Sequence, residues 1–150
     1  MDINFSLNLP RDSATVPVVR RICRDALKVL GVVENCVNSI EVAVSEACTN
    51  VLKHVEGTGD EYEVTVQVTY DRCKIAVIDT GRGFDHRHYE SSDSDDLSRT
   101  AEGGRGIFLM QAMVDQIEFS SEPEMGTMVH LVKQLEFEEG SELKELWVPA

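Results

Sequence analysis

Positive charge is scarce in this chain. Lysine and arginine together number 14 against 27 aspartates and glutamates over 150 residues, a formal net charge of −13. A surface so acidic repels phosphate backbones, which excludes general nucleic-acid binding and suits a protein partner carrying a basic patch. Long apolar runs are missing as well, so no membrane span is expected. The first residues carry no signal-peptide pattern, and a cytoplasmic location is the expectation that follows. The four cysteines (Cys23, Cys36, Cys48 and Cys73) form no Cys-x-x-Cys pair. Free thiols are therefore expected, rather than a disulfide framework or a metal cluster. There is no Gly-x-x-x-x-Gly-Lys-Ser/Thr, which excludes a Walker-type phosphate loop. There is also no His-Arg-Asp and no Asp-Phe-Gly, which excludes the eukaryotic protein-kinase catalytic set. No internal repeat is present.

What remains is an ordinary globular composition, 42% hydrophobic and 27% charged, in a chain long enough for one domain with a real core. Residues 3–9 alternate apolar and polar and predict a strand. Pro10-Arg-Asp-Ser ends it, and Asp12 or Ser13 can cap the helix that follows. Apolar residues at Val16, Val19, Cys23, Ala26, Leu27 and Leu30 give that helix its buried face, and Gly31 offers a stop. A second helix is predicted from about Glu34 to His54. Its stripe is Val37, Ile40, Val44, Cys48, Val51 and Val55, at roughly 100° per residue. The same stepping puts Glu46, Asn50 and Lys53 on the opposite, polar face, with Ala43 and Ala47 at its edge. Tyr62 to Tyr70 alternates as a half-buried strand, and Cys73–Ile78 returns as its hairpin partner, delivering Asp79 at its end. A helix around 104–114, a short strand at 117–120 and a last strand at 127–135 complete the domain, assigned to residues 1–135. Residues 136–150, with five glutamates and one lysine, read as an acidic C-terminal tail.

Three pieces of this pattern carry chemistry. Asp79-Thr-Gly81-Arg-Gly83 places an acid at a strand end before two glycines. The acid can accept a hydrogen bond from an exocyclic amine, and the glycines let backbone approach a planar base. The same residues also read as a simple turn. Gly103-Gly-Arg-Gly106 opens a helix, where bare backbone N–H groups and the positive end of the helix dipole suit phosphate; its plain alternative is a hinge. Glu46 and Asn50 are one turn apart on a helix. An amide oxygen can bind Mg²⁺ directly, and a carboxylate there can take a proton from an attacking hydroxyl. Between the two glycine clusters, residues 85–102 form a polar stretch long enough to be functional. Glu90, Asp93, Asp95, Asp96 and Glu102 make it acidic.

Taken in order, these segments resemble the GHKL (Bergerat-fold) ATPases. Glu46-Ala-Cys-Thr-Asn50-Val-Leu-Lys-His54 is similar to the family's N box. Asp79-Thr-Gly81-Arg-Gly83 and Gly104-Arg-Gly106-Ile-Phe-Leu-Met are similar to its two glycine boxes, and Gly126-Thr127 to its closing Gly-Thr. Chain size and the phrase Val44-Ser-Glu-Ala-Cys-Thr-Asn resemble one branch, the bacterial anti-sigma-factor serine kinases of the RsbW/SpoIIAB type. The resemblance runs from about Asn4 to Leu135.

It implies an α/β (α+β) two-layer sandwich, with a mixed, mostly antiparallel sheet and helices on one face. It implies ATP and Mg²⁺ as cofactors. Asp79 would bind the adenine amine, Gly81 and Gly83 would shape the pocket, and Thr127 would support the base. Asn50 would coordinate Mg²⁺, and Gly104 and Gly106 would surround the phosphates. Arg99, Arg105 and Lys53 are the candidates for charge beside the γ-phosphate. Glu46 would be the general base that activates a serine of the partner, a STAS-domain anti-sigma factor antagonist. The resemblance also implies a homodimer that sequesters a sigma factor by partner switching. The alternative is a non-catalytic module that binds sigma or antagonist and holds ATP only as a structural ligand. The sequence shows no dimerisation helix bearing a phosphoacceptor histidine before the N box, so a sensor histidine kinase is not the expectation.

Overall fold

A computed structural model describes residues 2–54, 61–79, 103–122 and 126–140. The first strand, β1, spans Ile3–Pro10 and is followed by a short 3-10 turn at Ser13–Thr15. Helices α1 (Val16–Val29) and α2 (Glu34–His54) come next, then the hairpin of β2 (Glu61–Val68) and β3 (Arg72–Asp79). Helix α3 (Gly103–Met113) leads to the second hairpin, β4 (Gln116–Glu122) and β5 (Gly126–Gln134). The strands form one sheet in the order β1-β2-β3-β5-β4. Every described pairing is antiparallel.

Local sequence explains where the elements begin and end. The Asp12 carboxylate accepts from the Ala14 backbone N–H at 2.8 Å, which starts the 3-10 turn, and Pro17 sits in the first turn of α1. Gly31, at φ 86°, ends α1. Its N–H donates to the Lys28 carbonyl at 3.0 Å and the Val32 N–H to the Leu27 carbonyl at 3.0 Å. That double bond pattern is a Schellman cap, and it needs a residue at ease with positive φ. The hairpin between β2 and β3 is closed by Thr69, whose N–H donates to the Arg72 carbonyl at 2.9 Å and whose hydroxyl donates to Asp71 at 2.9 Å.

The register aligns rows of side chains on the helix-covered side of the sheet. Leu7, Val64, Val77 and Val129 form one row; Phe5, Val66, Ile75 and Leu131 form the next. These valines and Leu131 and Ile75 are buried, and Val19, Cys23 and Leu27 of α1 with Val37, Ile40, Val44, Cys48 and Val51 of α2 close over them. The opposite side carries Ser6, Thr65, Ala76 and His130 in one row and Asn4, Gln67, Lys74 and Val132 in another, and among the described residues the helices cover the other face.

α2 is the central helix. It packs against α1 on one side and α3 on the other, and lies over β3 and β5. An ion-pair ladder fixes α1 beside it. Arg24 reaches Glu41 at 2.6 Å and Glu34 at 2.9 Å, Arg20 reaches Glu41 at 3.4 Å, and Lys28 reaches Glu34 at 3.6 Å. Pairs this exposed are screened by solvent and stabilise little, so they set how the helices face each other more than they hold the fold.

After β5 the chain keeps packing. The Val33 N–H donates to the Glu136 carbonyl at 2.9 Å, the Glu138 N–H donates to the Gly31 carbonyl at 2.7 Å, and Phe137 is buried in the core. Residues 141–150 of the acidic tail lie outside the described residues. All four cysteines are free and buried. No helix among the described residues is long and apolar enough to cross a membrane.

Candidate functional site

The row of sheet residues beyond Leu7 and Val64 changes chemistry. Leu9, Tyr62, Asp79 and Thr127 stand side by side across β1, β2, β3 and β5. Asp79 is 0% exposed and Thr127 1%. A carboxylate and a hydroxyl on neighbouring strands therefore occupy positions that the preceding rows of this sheet face fill with apolar side chains. Burying an ion costs several kcal/mol unless it is paired. The pairing comes from Arg11, the first residue after β1, whose Nε lies 3.1 Å from Asp79 Oδ2. The same guanidinium donates through Nη2 to the Leu52 carbonyl of α2 at 3.0 Å. Leu52 lies in the last turn of α2, where carbonyls have no partner within the helix.

Arg11 was not among the residues singled out from sequence. The signal lay in the register. Leu9 pairs with Tyr62 and Tyr62 with Asp79, so the residue two positions past Leu9 emerges beside that acid. Nothing in the local pattern of Pro10-Arg-Asp-Ser states which strands pair.

On α2, Glu46 is half-buried and Lys53 exposed, while Asn50 is only 5% exposed. The periodicity placed all three on a polar face. That face is covered because α2 has helices on both flanks, and Ala43 and Ala47 at its edge are fully buried. The Asn50 Nδ2 is buried with no hydrogen-bond partner among the described residues. Such a group costs about 1–3 kcal/mol and persists where a ligand satisfies it. The two ends of an amide exchange by a half-turn of the side chain. The same position can thus offer a donor to a phosphate oxygen or a carbonyl oxygen to a cation, which fits Mg²⁺ and a phosphate tail.

The remaining candidates are placed in part. Gly104, Arg105 and Gly106 fall in the first turn of α3, whose backbone is described from Gly103, and α3 packs beside α2. Their side chains lie outside the described residues, as do Gly81, Gly83, Arg99 and the whole stretch 85–102. The structure thus brings Asp79, Thr127, Arg11 and the C-terminal half of α2 to one end of the sheet. Among the described residues no group of His, Cys, Asp and Glu side chains is arranged to hold a metal ion by itself. Magnesium held by one amide would need phosphate oxygens and water to complete its shell.

Beneath this end Tyr62 is anchored by its hydroxyl. Thr15 gives its own proton to the Asp12 carbonyl at 2.6 Å, so Tyr62 donates to Thr15 Oγ1, also at 2.6 Å. Burial pushes the Tyr62 phenol up to about 12. It stays protonated at neutral pH and serves as a neutral donor next to Asp79 in the sheet.

Comparison with known proteins supplies the family. A family model described as the histidine kinase-like ATPase domain matches residues 9–133. The chain is 30% identical over 140 residues to the serine-protein kinase RsbW of Halalkalibacterium halodurans, covering 90% of this chain and 85% of that one. It is 26% identical over 138 residues to the RsbW of Bacillus subtilis, covering 87% and 85%. Among solved structures, the RsbU and RsbW domains of a Mycobacterium tuberculosis protein superpose with a TM-score of 0.65 at 18% identity. That match covers 89% of this chain and 32% of the solved one, and it supports the fold.

Proposed function

This chain belongs to the histidine kinase-like ATPase domain family, among the relatives of the serine-protein kinase RsbW, and on that premise we propose that it is a cytoplasmic anti-sigma factor that phosphorylates a serine of its antagonist. The observation that carries the reading is the orphaned Asn50 amide, buried one turn from Glu46 and on the helix that Arg11 ties to Asp79. In this reading the two residues mark the ends of one nucleotide site. An acid suited to an amine stands at one end, and an amide suited to a cation and phosphate at the other.

Each residue has a role in this reading. Asp79 accepts from the exocyclic amine of adenine, Thr127 supports the base, and Gly81 and Gly83 let the chain approach it. Asn50 holds Mg²⁺, while Gly104 and Gly106 present backbone N–H groups to phosphate. Arg105 and Lys53 are the nearby candidates for balancing phosphate charge. Bound Mg·ATP supplies the phosphoryl group and part of the charge neutralisation. Phosphoryl transfer asks the protein mainly for positioning and electrostatic support, so a small set of residues suffices. Glu46, half-buried on α2, takes the proton from the attacking serine hydroxyl.

The partners are a sigma factor and a STAS-domain antagonist, held alternately by a homodimer. Unphosphorylated antagonist displaces sigma, and phosphorylation of the antagonist frees the kinase to bind sigma again. Incubation with Mg·ATP and the antagonist recovered by affinity capture should place one phosphate on one serine, read by mass spectrometry. Tight ATP binding with no phosphorylated antagonist would favour a module that holds ATP without catalysis.

A further inference from the structure

The strand order β1-β2-β3-β5-β4 leaves β1 at an edge, and among the described residues it pairs only with β2. Half of its backbone N–H and C=O groups therefore point outward with no strand to receive them. Edge strands are commonly protected by shortness, charge, proline or a bulge. β1 is eight residues long, and its register with β2 runs without a slip from Ile3 to Pro10. No charged residue stands between Ile3 and Leu9, and its one proline, Pro10, comes last. The other edge, β4, carries the exposed Glu118.

The helix beside the β1 edge is open on the same side. α2 lies over β3 and β5 and α3 touches β4, which leaves α1, on the far side of α2, over β1 and β2. Arg20, Arg24 and Lys28 of α1 turn toward Glu34 and Glu41 of α2. At roughly 100° per residue, Val18, Ile22 and Val29 fall on the opposite flank, away from α2. They are 48%, 37% and 74% exposed. Arg21 and Asp25 border that flank, exposed and with no ion pair among the described residues. Ile3, Phe5 and Leu7 of β1 are only half-buried.

We propose that this surface binds a second copy of the chain, with β1 pairing antiparallel to β1 across a two-fold axis. This rests on the homodimer proposed above and says where it forms. Three features select a second copy. Two chains of net charge −13 repel, and a strand edge free of charge is where they can meet. A strand paired antiparallel with itself makes an isologous contact, and it continues the antiparallel pattern of the sheet. The flank of α1 is also complementary to itself. Once the strands pair, the two α1 helices run antiparallel on one face of a continuous sheet, about two strand spacings apart. That is ~10 Å, the distance at which helices pack. Placed antiparallel about position 23, Arg21 of one copy faces Asp25 of the other, Val18 lies near Val29, and Ile22 sits close to the axis. An edge of this length, about 25 Å, with the helix layer above it covers on the order of 1,000 Å² in total, the size a specific interface needs.

The experiment is sedimentation equilibrium of the full chain over a wide concentration range. It compares wild type, Arg21→Asp, Asp25→Arg, the double variant Arg21→Asp/Asp25→Arg, Val29→Glu and Ser6→Glu. Every altered side chain is exposed, and circular dichroism checks that each variant folds. Each single variant should raise the dimer dissociation constant by about tenfold or more, because the two-fold axis counts every change twice. The double variant should return to within about threefold of wild type, since the charges are exchanged and still opposite. Asp25→Arg makes the chain less acidic, so it would tighten a dimer governed by net charge alone. Facing Arg21 of the second copy, it should weaken the dimer instead. Hydrogen exchange should find the β1 amides protected in the wild-type dimer and released in Ser6→Glu. A dimer that all of these variants leave intact overturns this surface and keeps the homodimer. A double variant no tighter than its parents overturns the antiparallel meeting of the α1 flanks. A wild type that stays monomeric at every concentration removes the homodimer and this surface together.

Discussion

Raising the pH should unfold this protein through its core thiols. Cys23 of α1, Cys48 of α2 and Cys73 of β3 are each 0–1% exposed and belong to one apolar cluster. Burial pushes Cys23 and Cys48 from 9.0 up to about 12, and raises Cys73 as well. Each thiolate of Cys48 and Cys73 is further opposed by Cys23. The folded state therefore holds these protons when the unfolded chain releases them. For groups raised on folding, the stability is complete below the unfolded value and is lost as pH rises between the unfolded and folded values. The window here opens near pH 9 and runs toward 12. At pH 10 the three thiols together cost about 4 kcal/mol relative to pH 7, a large share of the 5–15 kcal/mol typical of a domain. Urea unfolding followed by far-ultraviolet circular dichroism at pH 7.5, 9 and 10 measures it. The midpoint should fall steeply above pH 9. The variant Cys23→Ala/Cys48→Ala/Cys73→Val should start less stable but lose much less over the same range. Parallel declines in both proteins would refute the reasoning, because the thiols would then not be the groups that titrate.

Two further outcomes follow from the packing. Asn50→Ala should abolish the Mg²⁺ dependence of ATP affinity while leaving urea stability unchanged or higher by ~1 kcal/mol, since it removes a buried donor without a described partner; a loss of several kcal/mol would show that the amide holds the fold instead. Ile40→Ala, at a fully buried α2 position in the core cluster, should cost about 2–5 kcal/mol through its cavity, read as a lowered urea midpoint with an unchanged slope. A loss under 1 kcal/mol would place Ile40 outside the shared core.

The elements of this fold were legible because their cues are local. The alternation Tyr62, Val64, Val66, Val68 follows the buried face of β2 residue by residue, and Gly31 marks the end of α1 with the positive φ its cap requires. Tyr70 continued that alternation on paper yet lies in the turn and is exposed, because the chain has already reversed at Thr69–Arg72. What was not legible depends on neighbours distant in sequence. Helical stepping groups Glu46, Asn50 and Lys53 on one polar face, but it does not reveal that α2 has helices on both flanks or that Asn50 is buried. Arg11 takes its meaning from a residue 68 positions later, through two strand pairings. Phe137 sits in what reads as an acidic tail, and its pairing with Val32, far away in sequence, accompanies its burial in the core. The order of the glycine motifs carried the family resemblance across these gaps, and the match over residues 9–133 agrees with it.

The most direct test of the account is the Glu46→Gln variant, compared with wild type in two measurements on the same preparation. Serine phosphorylation of the antagonist from Mg·ATP should fall by orders of magnitude, while the dissociation constant for Mg·ATP stays within a few-fold, because a base acts in the transition state and not in ground-state binding. Transfer at the wild-type rate, or transfer and ATP affinity lost in equal measure, would contradict Glu46 as the base and with it the proposed catalytic reading of α2.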